Sequence, residues 1–474
     1  MSFNGQCRRL PSRFRLVLDA FLQHADLPFA DTLDETAIRK AFDDEGVAFT
    51  TDDSAVYTPA VTLWAFLSQV LFKGEQRSCL AAVARVIALR VALGAKSCAG
   101  NSGAYCRARS RLPENVIRRL AVQVAVGCEK HIDDECLWHG RHVYLADGTT
   151  ATMPDTPANQ AAYPQNPRQA EGLGFPIVRM VVLISLATAM LNSLALAPYV
   201  GKQTGEPALL REQIDRLGEG DVVLFDRYYC SFFMLAELQS RGVDAVARVH
   251  ARRKVDFRRG RRLGDGDHVV DWVRPQRPGW MDEATYERMP ATIELREIRV
   301  DVSQPGFRVQ SFVAVTTLTD ATAYSRDEIA DLYRHRWMVE LDIRAIKQTM
   351  GMDVLRCKTP EMVRKEIWTC LLAYNLLRRS LLQSAQAAGV SPRTLSFTAA
   401  LQSTAAGWML STVGEDGVRS LLIDATLVTL ATHVVGHRPD RVEPRAVKRR
   451  PKEVALLMQP RAIARDALLK RRAS

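Results

Sequence analysis

Five short apolar runs between His142 and Val249 limit what this chain can fold into more than any other feature. They are His142 to Ala146, Ile177 to Ser185, Ser193 to Tyr199, Val222 to Phe225 and Asp244 to Val249. Each has the length and apolar continuity of a buried strand. Helix-patterned stretches, Glu206 to Leu217 and Phe232 to Arg241, separate the last three. Three strands followed by alternating helix and strand predict a mixed sheet covered by helices, an α/β or α+β layer. The uncharged stretch Met180 to Pro198 is the only membrane-like segment, but Asn192-Ser193 divides it into two strand-length runs. It therefore reads as a buried hairpin, with turn residues between the runs, and not as a membrane span.

The flanks read differently. Up to His139, apolar residues recur three and four apart in Val61 to Phe72, Cys79 to Leu93 and Asn115 to Val126, the period of helices. Gly94 to Gly103 interrupts them, and Tyr105 to Pro113 is basic and carries an aromatic residue. A helical DNA-binding domain fits this pattern, and so does helical packing without DNA. Residues 251–308 are rich in Gly, Pro and charge, carry Trp272 and Trp280, and read as an insertion. Strand character returns at Gln310 to Leu318. A long helix then starts at the capping box Ser325-x-x-Glu328 and stops at Gly351. Thr359-Pro360-Glu361 opens another helix, running to about Gly389, with further helical pattern beyond it.

The formal charge of +11 is concentrated in two places. Arg248 to Arg262 holds eight Lys or Arg against one acid, and Arg441 to Ser474 holds eleven against three. Such clusters suit a polyanion, because neutralising phosphates releases condensed counterions. On charge alone, a solvated basic face remains the alternative. The N-terminus lacks the apolar core of a signal peptide, and nine cysteines without a CxxC pair fit a reduced cytoplasm. Cys128, His131, Cys136 and His139 have ligand types found in zinc sites, but the gap between the two pairs is shorter than usual zinc patterns.

Chemistry enters through three carboxylates. Val143-Tyr-Leu-Ala-Asp147 and Val222-Val-Leu-Phe-Asp226 each end an apolar strand in an aspartate. Alone, each is more simply a turn former or helix cap. On a wheel of 100° per residue from Tyr333, Arg336, Glu340 and Lys347 fall within an arc of about 60°. By itself that line is an ordinary solvated stripe with an Arg-Glu pair. Together the three acids meet the needs of a two-metal phosphoryl-transfer site: hard Mg2+ takes oxygen ligands and keeps waters, so two or three carboxylates suffice. Arg336 and Lys347 would donate to phosphate oxygens, and Tyr333 could hydrogen-bond another.

Tyr333-x2-Arg336-x3-Glu340-x6-Lys347 resembles the Y-R-E-K signature of bacterial insertion-sequence transposases of the insertion sequence four group. The segments LADGT at Asp147 and LFDRYY at Asp226 resemble that group's two aspartate motifs, and the likeness covers roughly Gly100 to Leu377. The resemblance implies an RNase H-like mixed sheet with flanking helices, a β-rich insertion, and helical N- and C-terminal regions. It divides the chain into a helical DNA-binding domain at 1–139, a catalytic core at 140–250 and 309–389, the insertion at 251–308, and a basic helical region at 390–474.

The same resemblance implies cut-and-paste transposition. Water nicks one strand at the element end, the freed 3′-hydroxyl attacks the other strand to form a hairpin, water reopens it, and the 3′-hydroxyl joins target DNA. Asp147, Asp226 and Glu340 would be the catalytic residues and metal ligands, with two Mg2+ ions per site and Mn2+ able to substitute. Double-stranded DNA would be the partner, as terminal inverted repeats and target, with a homodimer synapsing two ends, no membrane, and a cytoplasmic, nucleoid-associated location. The family's base-stacking tryptophan aligns with Phe312, which fits stacking or the strand's core equally. Trp337 matches a second aromatic position, and a buried helix tryptophan is its alternative. Arg252, Arg253 and Lys254 complete the expected DNA contacts. A catalytically silent DNA-binding regulator and an RNase H-like repair nuclease are the rival readings. The full signature disfavours the first; the insertion and the Y-R-E-K line disfavour the second.

Overall fold

The computed structural model describes residues 42, 45–46, 55–92, 94–250, 252–301, 311–413, 416–436 and 456–473. The start of the chain and the first part of the basic tail, through residue 455, lie outside the described residues. From residue 55 on, the described residues open with four helices: α1 (Pro59–Leu71), α2 (Cys79–Ala92), α3 (Gly103–Arg111) and α4 (Glu114–Glu129). The central part alternates: β1 (Val143–Thr152), α5 (Pro157–Ala162), β2 (Ile177–Ser185), β3 (Leu191–Pro198), α6 (Glu206–Arg211), β4 (Val222–Phe225), α7 (Phe232–Gln239) and β5 (Asp244–Arg248). Then follow β6 (Arg261–Gly264), β7 (Asp267–Val273), α8 (Glu283–Arg288), β8 (Thr292–Asp301) and β9 (Ser311–Thr316). Helices complete the chain: α9 (Arg326–Arg334), α10 (Met338–Arg344), α11 (Pro360–Ala388), α12 (Phe397–Val413), α13 (Asp416–Thr432) and α14 (Arg461–Ala473).

The described strands form one nine-stranded sheet in the order β3-β2-β1-β4-β5-β9-β8-β7-β6. Strands β1, β4 and β5 run parallel, while β2 and β3 are antiparallel neighbours on one side. Order 3-2-1-4-5 with this mixture of directions is the RNase H-like core. Strands β6, β7 and β8 extend the sheet outward from β9.

Two cores lie on opposite faces, following the two-residue period of the strands. One holds Leu145, Leu224 and Val246 together with Ile329, Leu332 and Val339 of α9 and α10, and runs into α11 and the N-terminal helices. The other holds Tyr144, Val223 and Phe225 with Leu209, Leu210 and the apolar residues of α7. Helix α11 forms the spine of the first. Thr359 caps its N-terminus, Pro360 occupies its first turn, and Gly389 ends it in the left-handed conformation, φ 64°. Cys370, Leu371, Tyr374 and Leu377 along it are fully buried.

Three expectations are corrected. The hairpin turn falls at residues 186–190, and Asn192 and Ser193 lie inside β3. The reversal is built by Ser185 and Thr188, whose hydroxyls accept from the Thr188 and Met190 N–H groups, and by Ala189 at φ 60°. The helix from Arg326 is not regular: a 3-10 turn at His335–Trp337 divides α9 from α10, and the rod ends in a π turn at Ala345–Thr349. That wider turn lets the Met350 N–H reach the Ala345 carbonyl before Gly351 reverses the chain at φ 74°. Strand β1 runs on to Thr152, so Asp147 is mid-strand and not at a strand end. Antiparallel pairing with β2 carries β1 past the point where its parallel neighbour β4 stops.

Candidate active site

The sheet register brings the two aspartates together. The last parallel pair between β1 and β4 is Leu145 with Leu224. Two residues further on each strand come Asp147 and Asp226, on the face of those leucines, which is also the face of α9 and α10. Beyond Leu145 the β4 side of β1 is open, and the chain after the π turn docks there. The Thr152 N–H donates to the Asp353 carbonyl at 3.0 Å, and the Leu355 N–H to the Thr152 carbonyl at 2.8 Å. Helix α10 packs alongside β1 next to this clip, and Glu340 on it is linked to Asp147 through Arg336.

Arg336 spans the gap. Its guanidinium donates to Glu340 Oε1 at 2.7 Å and lies 3.7 Å from Asp147 Oδ2. Asp147 Oδ1 accepts from the Gly148 N–H at 2.7 Å. Burial pushes the Asp147 carboxyl up to about 6; the Gly148 N–H and Arg336 oppose this, while the charges of Asp226 and Glu340 add to it. Asp226 directly follows β4 and accepts the Tyr228 N–H on Oδ1 at 2.7 Å, an Asx turn that fixes its rotamer. As the side chains lie, no group of three His, Cys, Asp or Glu among the described residues stands close enough to hold a metal ion. Glu340, more than half exposed, is held by Arg336 instead. The donor set nevertheless fits a hard cation in kind: carboxylate oxygens, with the Arg336 guanidinium linking those of Asp147 and Glu340.

The remaining predicted residues separate into groups. Tyr333 is 7% exposed, and its hydroxyl donates to the Phe225 carbonyl at 3.4 Å, so in this arrangement it is turned inward and not toward a phosphate. Packing against Phe312, at 5.4 Å between ring centroids, turns it inward, and burial pushes its hydroxyl up to about 12. Phe312 is half-buried, with the Arg248 guanidinium 5.5 Å from its ring. Trp337 is 50% exposed, which removes the buried-tryptophan alternative. Lys347 lies half-buried in the π turn and enters none of the described ion pairs.

Arg252 and Lys254 are exposed. Arg253 is exposed as well, and its guanidinium lies over the Trp272 ring at 3.5 Å and pairs with Glu297 at 3.5 Å, a cation–π contact. The four residues with zinc-ligand chemistry have other surroundings. Cys128 sits in an apolar cluster with Met190 and Leu382, the His131 ring meets the Gly127 carbonyl, Cys136 is exposed, and His139 is 3.2 Å from Glu328.

Sequence reasoning missed two groups. Asp342, two residues after Glu340, is 1% exposed and accepts from Arg378 at 2.7 Å and Arg393 at 3.0 Å. Glu206 lies against Gly148 on the sheet face opposite Glu340 and accepts the Tyr229 hydroxyl at 3.3 Å. An acid on an otherwise apolar helix face could have signalled the first. For the second the only sign was the glycine after Asp147.

An RNase H-like sheet with two neighbouring aspartates, and a helix-borne glutamate linked to one of them by an arginine, defines a class: enzymes of metal-assisted phosphoryl transfer on nucleic acid. Comparison with known proteins narrows it. The transposase DDE domain family matches residues 138–376. The chain is 30% identical over 361 residues to transposase InsG for insertion sequence element IS4 of Escherichia coli (strain K12), covering 73% of this chain and 76% of that protein. It is 27% identical over 142 residues to putative transposase InsZ of the same organism, covering 29% and 46%. A looser likeness joins it to a piggyBac transposase synaptic complex with hairpin DNA, with TM-score 0.42 and 11% identity, covering 92% and 88%.

The chain belongs to the transposase DDE domain family, of the IS4 type. It is a DNA transposase, an enzyme that acts on DNA, of a family that generally uses divalent metal ions. Among the described residues, no helix is long and apolar enough to cross a membrane.

Proposed function

We propose that this transposase excises and inserts an insertion sequence by a cut-and-paste route through hairpin-ended DNA, with Asp147, Asp226 and Glu340 as its catalytic carboxylates. The observation that carries this is the register of β1 on β4, which makes the two aspartates neighbours, with Arg336 linking Asp147 to Glu340. These oxygens would hold two Mg2+ ions, replaceable by Mn2+. Bound there, the ions supply activation of the attacking oxygen and stabilisation of the leaving one.

The chain's own residues do the rest. Asp226 is preset by its Asx turn, and Asp147 by the Gly148 N–H. Glu340 would hold the metal together with the two aspartates, and Arg336, no longer engaged by it, would then donate to a phosphate oxygen. Lys347 donates to a second phosphate. Tyr333 acts through position, since its hydroxyl holds the end of β4. Trp337 offers an exposed ring to an unstacked base, and Phe312 backs the site from the strand. Arg252 and Lys254 contact the backbone of the same DNA, with Arg253 fixing their loop through Trp272.

We further assign residues 1–139 to end recognition, 140–250 and 309–389 to the catalytic core, 251–308 to the insertion, and 390–474 to a basic region that meets DNA or a second protomer. Two protomers synapse two element ends. The test is incubation with DNA carrying the terminal repeats and Mg2+ or Mn2+, followed by a denaturing gel. Hairpin ends that appear and then reopen support the route. Cleavage without hairpins refutes it, and DNA binding without cleavage identifies a silent regulator.

A further inference from the structure

Gly148 follows Asp147 on β1, and its bare Cα is covered by a carboxylate. A Cβ built there would lie 2.2 Å from Glu206 Cδ and 2.5 and 2.6 Å from its two oxygens. Glu206 is the first residue of α6, so the start of that helix is seated flat on the back of β1, directly behind the catalytic strand position. Its other contact runs to the second aspartate motif. Oε2 accepts the hydroxyl of Tyr229, which is 1% exposed. Tyr229 belongs to the turn that begins at Asp226: its N–H donates to the Asp226 carbonyl at 3.3 Å, and the preceding N–H, of Tyr228, donates to the Asp226 carboxylate. One side chain therefore touches both structures that carry the aspartates. Arg179 attracts the Glu206 carboxylate electrostatically, but none of the described ion pairs within 4.0 Å includes Glu206, so its polar contact is the Tyr229 hydroxyl.

We propose that Glu206 is a positioning residue of the catalytic site, fixing the spacing of Asp147 and Asp226 by packing on Gly148 and holding the Tyr229 hydroxyl. This rests on the reading of those aspartates as metal ligands. Groups that orient metal ligands from behind change metal affinity by about 10- to 100-fold when removed. The contact needs an acceptor of the right length more than it needs a charge. Glu206→Gln keeps the carbonyl oxygen that receives the Tyr229 proton, whereas Glu206→Ala and Tyr229→Phe each remove one half of the contact.

The experiment measures Mn2+ binding to the full-length, metal-stripped protein by electron paramagnetic resonance, without DNA, alongside a melting curve for each variant without metal. Glu206→Ala and Tyr229→Phe are expected to weaken Mn2+ binding at least 10-fold, and Glu206→Gln by less than threefold. Asp147→Asn serves as the reference for loss of a ligand. If Glu206→Ala and Tyr229→Phe bind within threefold of wild type while Asp147→Asn does not, the positioning role is overturned and the ligand assignment stands. If Glu206→Gln loses as much as Glu206→Ala while Tyr229→Phe binds normally, charge and not positioning is at work, and the proposal again falls. If wild type binds no Mn2+, the metal-site reading itself fails. Should Glu206→Ala not fold, the contrast between Tyr229→Phe and Glu206→Gln decides the matter alone.

Discussion

Replacing Asp342 by alanine tests how the glutamate helix is held. The carboxylate is 1% exposed and sits between two guanidiniums, Arg378 at 2.7 Å and Arg393 at 3.0 Å, whose side chains are 8% and 12% exposed. Removing it strands two buried positive charges, and loss of one partner from a buried pair costs about 3–5 kcal/mol. Both arginines keep other acceptors. Arg378 donates to the Tyr374 hydroxyl at 3.0 Å, and Arg393 to the carbonyls of Leu186 and of Ser185, the latter at 2.8 Å. These retained bonds set the expected loss at the lower end, about 3 kcal/mol. That is a large share of the roughly 5–15 kcal/mol that holds a typical domain folded.

The network also ties α10 to α11 and to the hairpin turn, so the variant should cut DNA poorly although Asp342 touches none. The assay is denaturant unfolding, with Arg378→Met and the double variant completing a cycle. A coupling of about 1.5–3 kcal/mol between Asp342 and Arg378 is expected. A loss below about 1 kcal/mol for Asp342→Ala, or a coupling near zero, would refute the claim that this buried triad anchors the helix.

Other consequences follow from single contacts. Gly148→Ala forces a methyl group into the Glu206 carboxylate; it should cost about 1–3 kcal/mol in thermal or denaturant melts and abolish cleavage while DNA binding persists. His142 has its pKa raised by its hydrogen bond to Glu129, against burial, so the contact stabilises fully below about pH 6.5 and fades as pH rises through the folded value. The ring is a third exposed, so His142→Gln should cost under about 1 kcal/mol, and more at pH 6 than at pH 8.5 in paired melts. Arg252→Ala and Lys254→Ala should each lower the salt dependence of DNA affinity by about one ion, read by fluorescence anisotropy across salt. Arg253→Ala should instead lower the melting temperature, because that guanidinium packs on Trp272.

The core was legible because its signals are local and repeated. Apolar strand runs, the Ser325 capping box and the Thr359-Pro360 helix start each fix an element from neighbouring residues, and the structure has each of them. The two aspartates were findable because strand-end motifs recur in sequence even when, as at Asp147, the strand continues. What escaped depends on contacts between distant segments. Asp342 meets Arg378 and Arg393, 36 and 51 residues away. Glu206 gains its meaning only when α6 packs behind Gly148. Tyr333 fell on the polar line of a regular wheel, yet apolar packing against Phe312 outweighs a one-dimensional period. The 3-10 and π turns that distort the same helix have no evident local sequence cause.

The most direct test of the central claim is a three-variant series, Asp147→Asn, Asp226→Asn and Glu340→Gln, each assayed for terminal-repeat binding and for strand cleavage in Mg2+. The account predicts that all three bind the repeat DNA within a few-fold of wild type and that each loses cleavage by at least about a thousandfold, as expected for groups worth 4 kcal/mol or more in the transition state. Cleavage near the wild-type rate by any one of the three would contradict it.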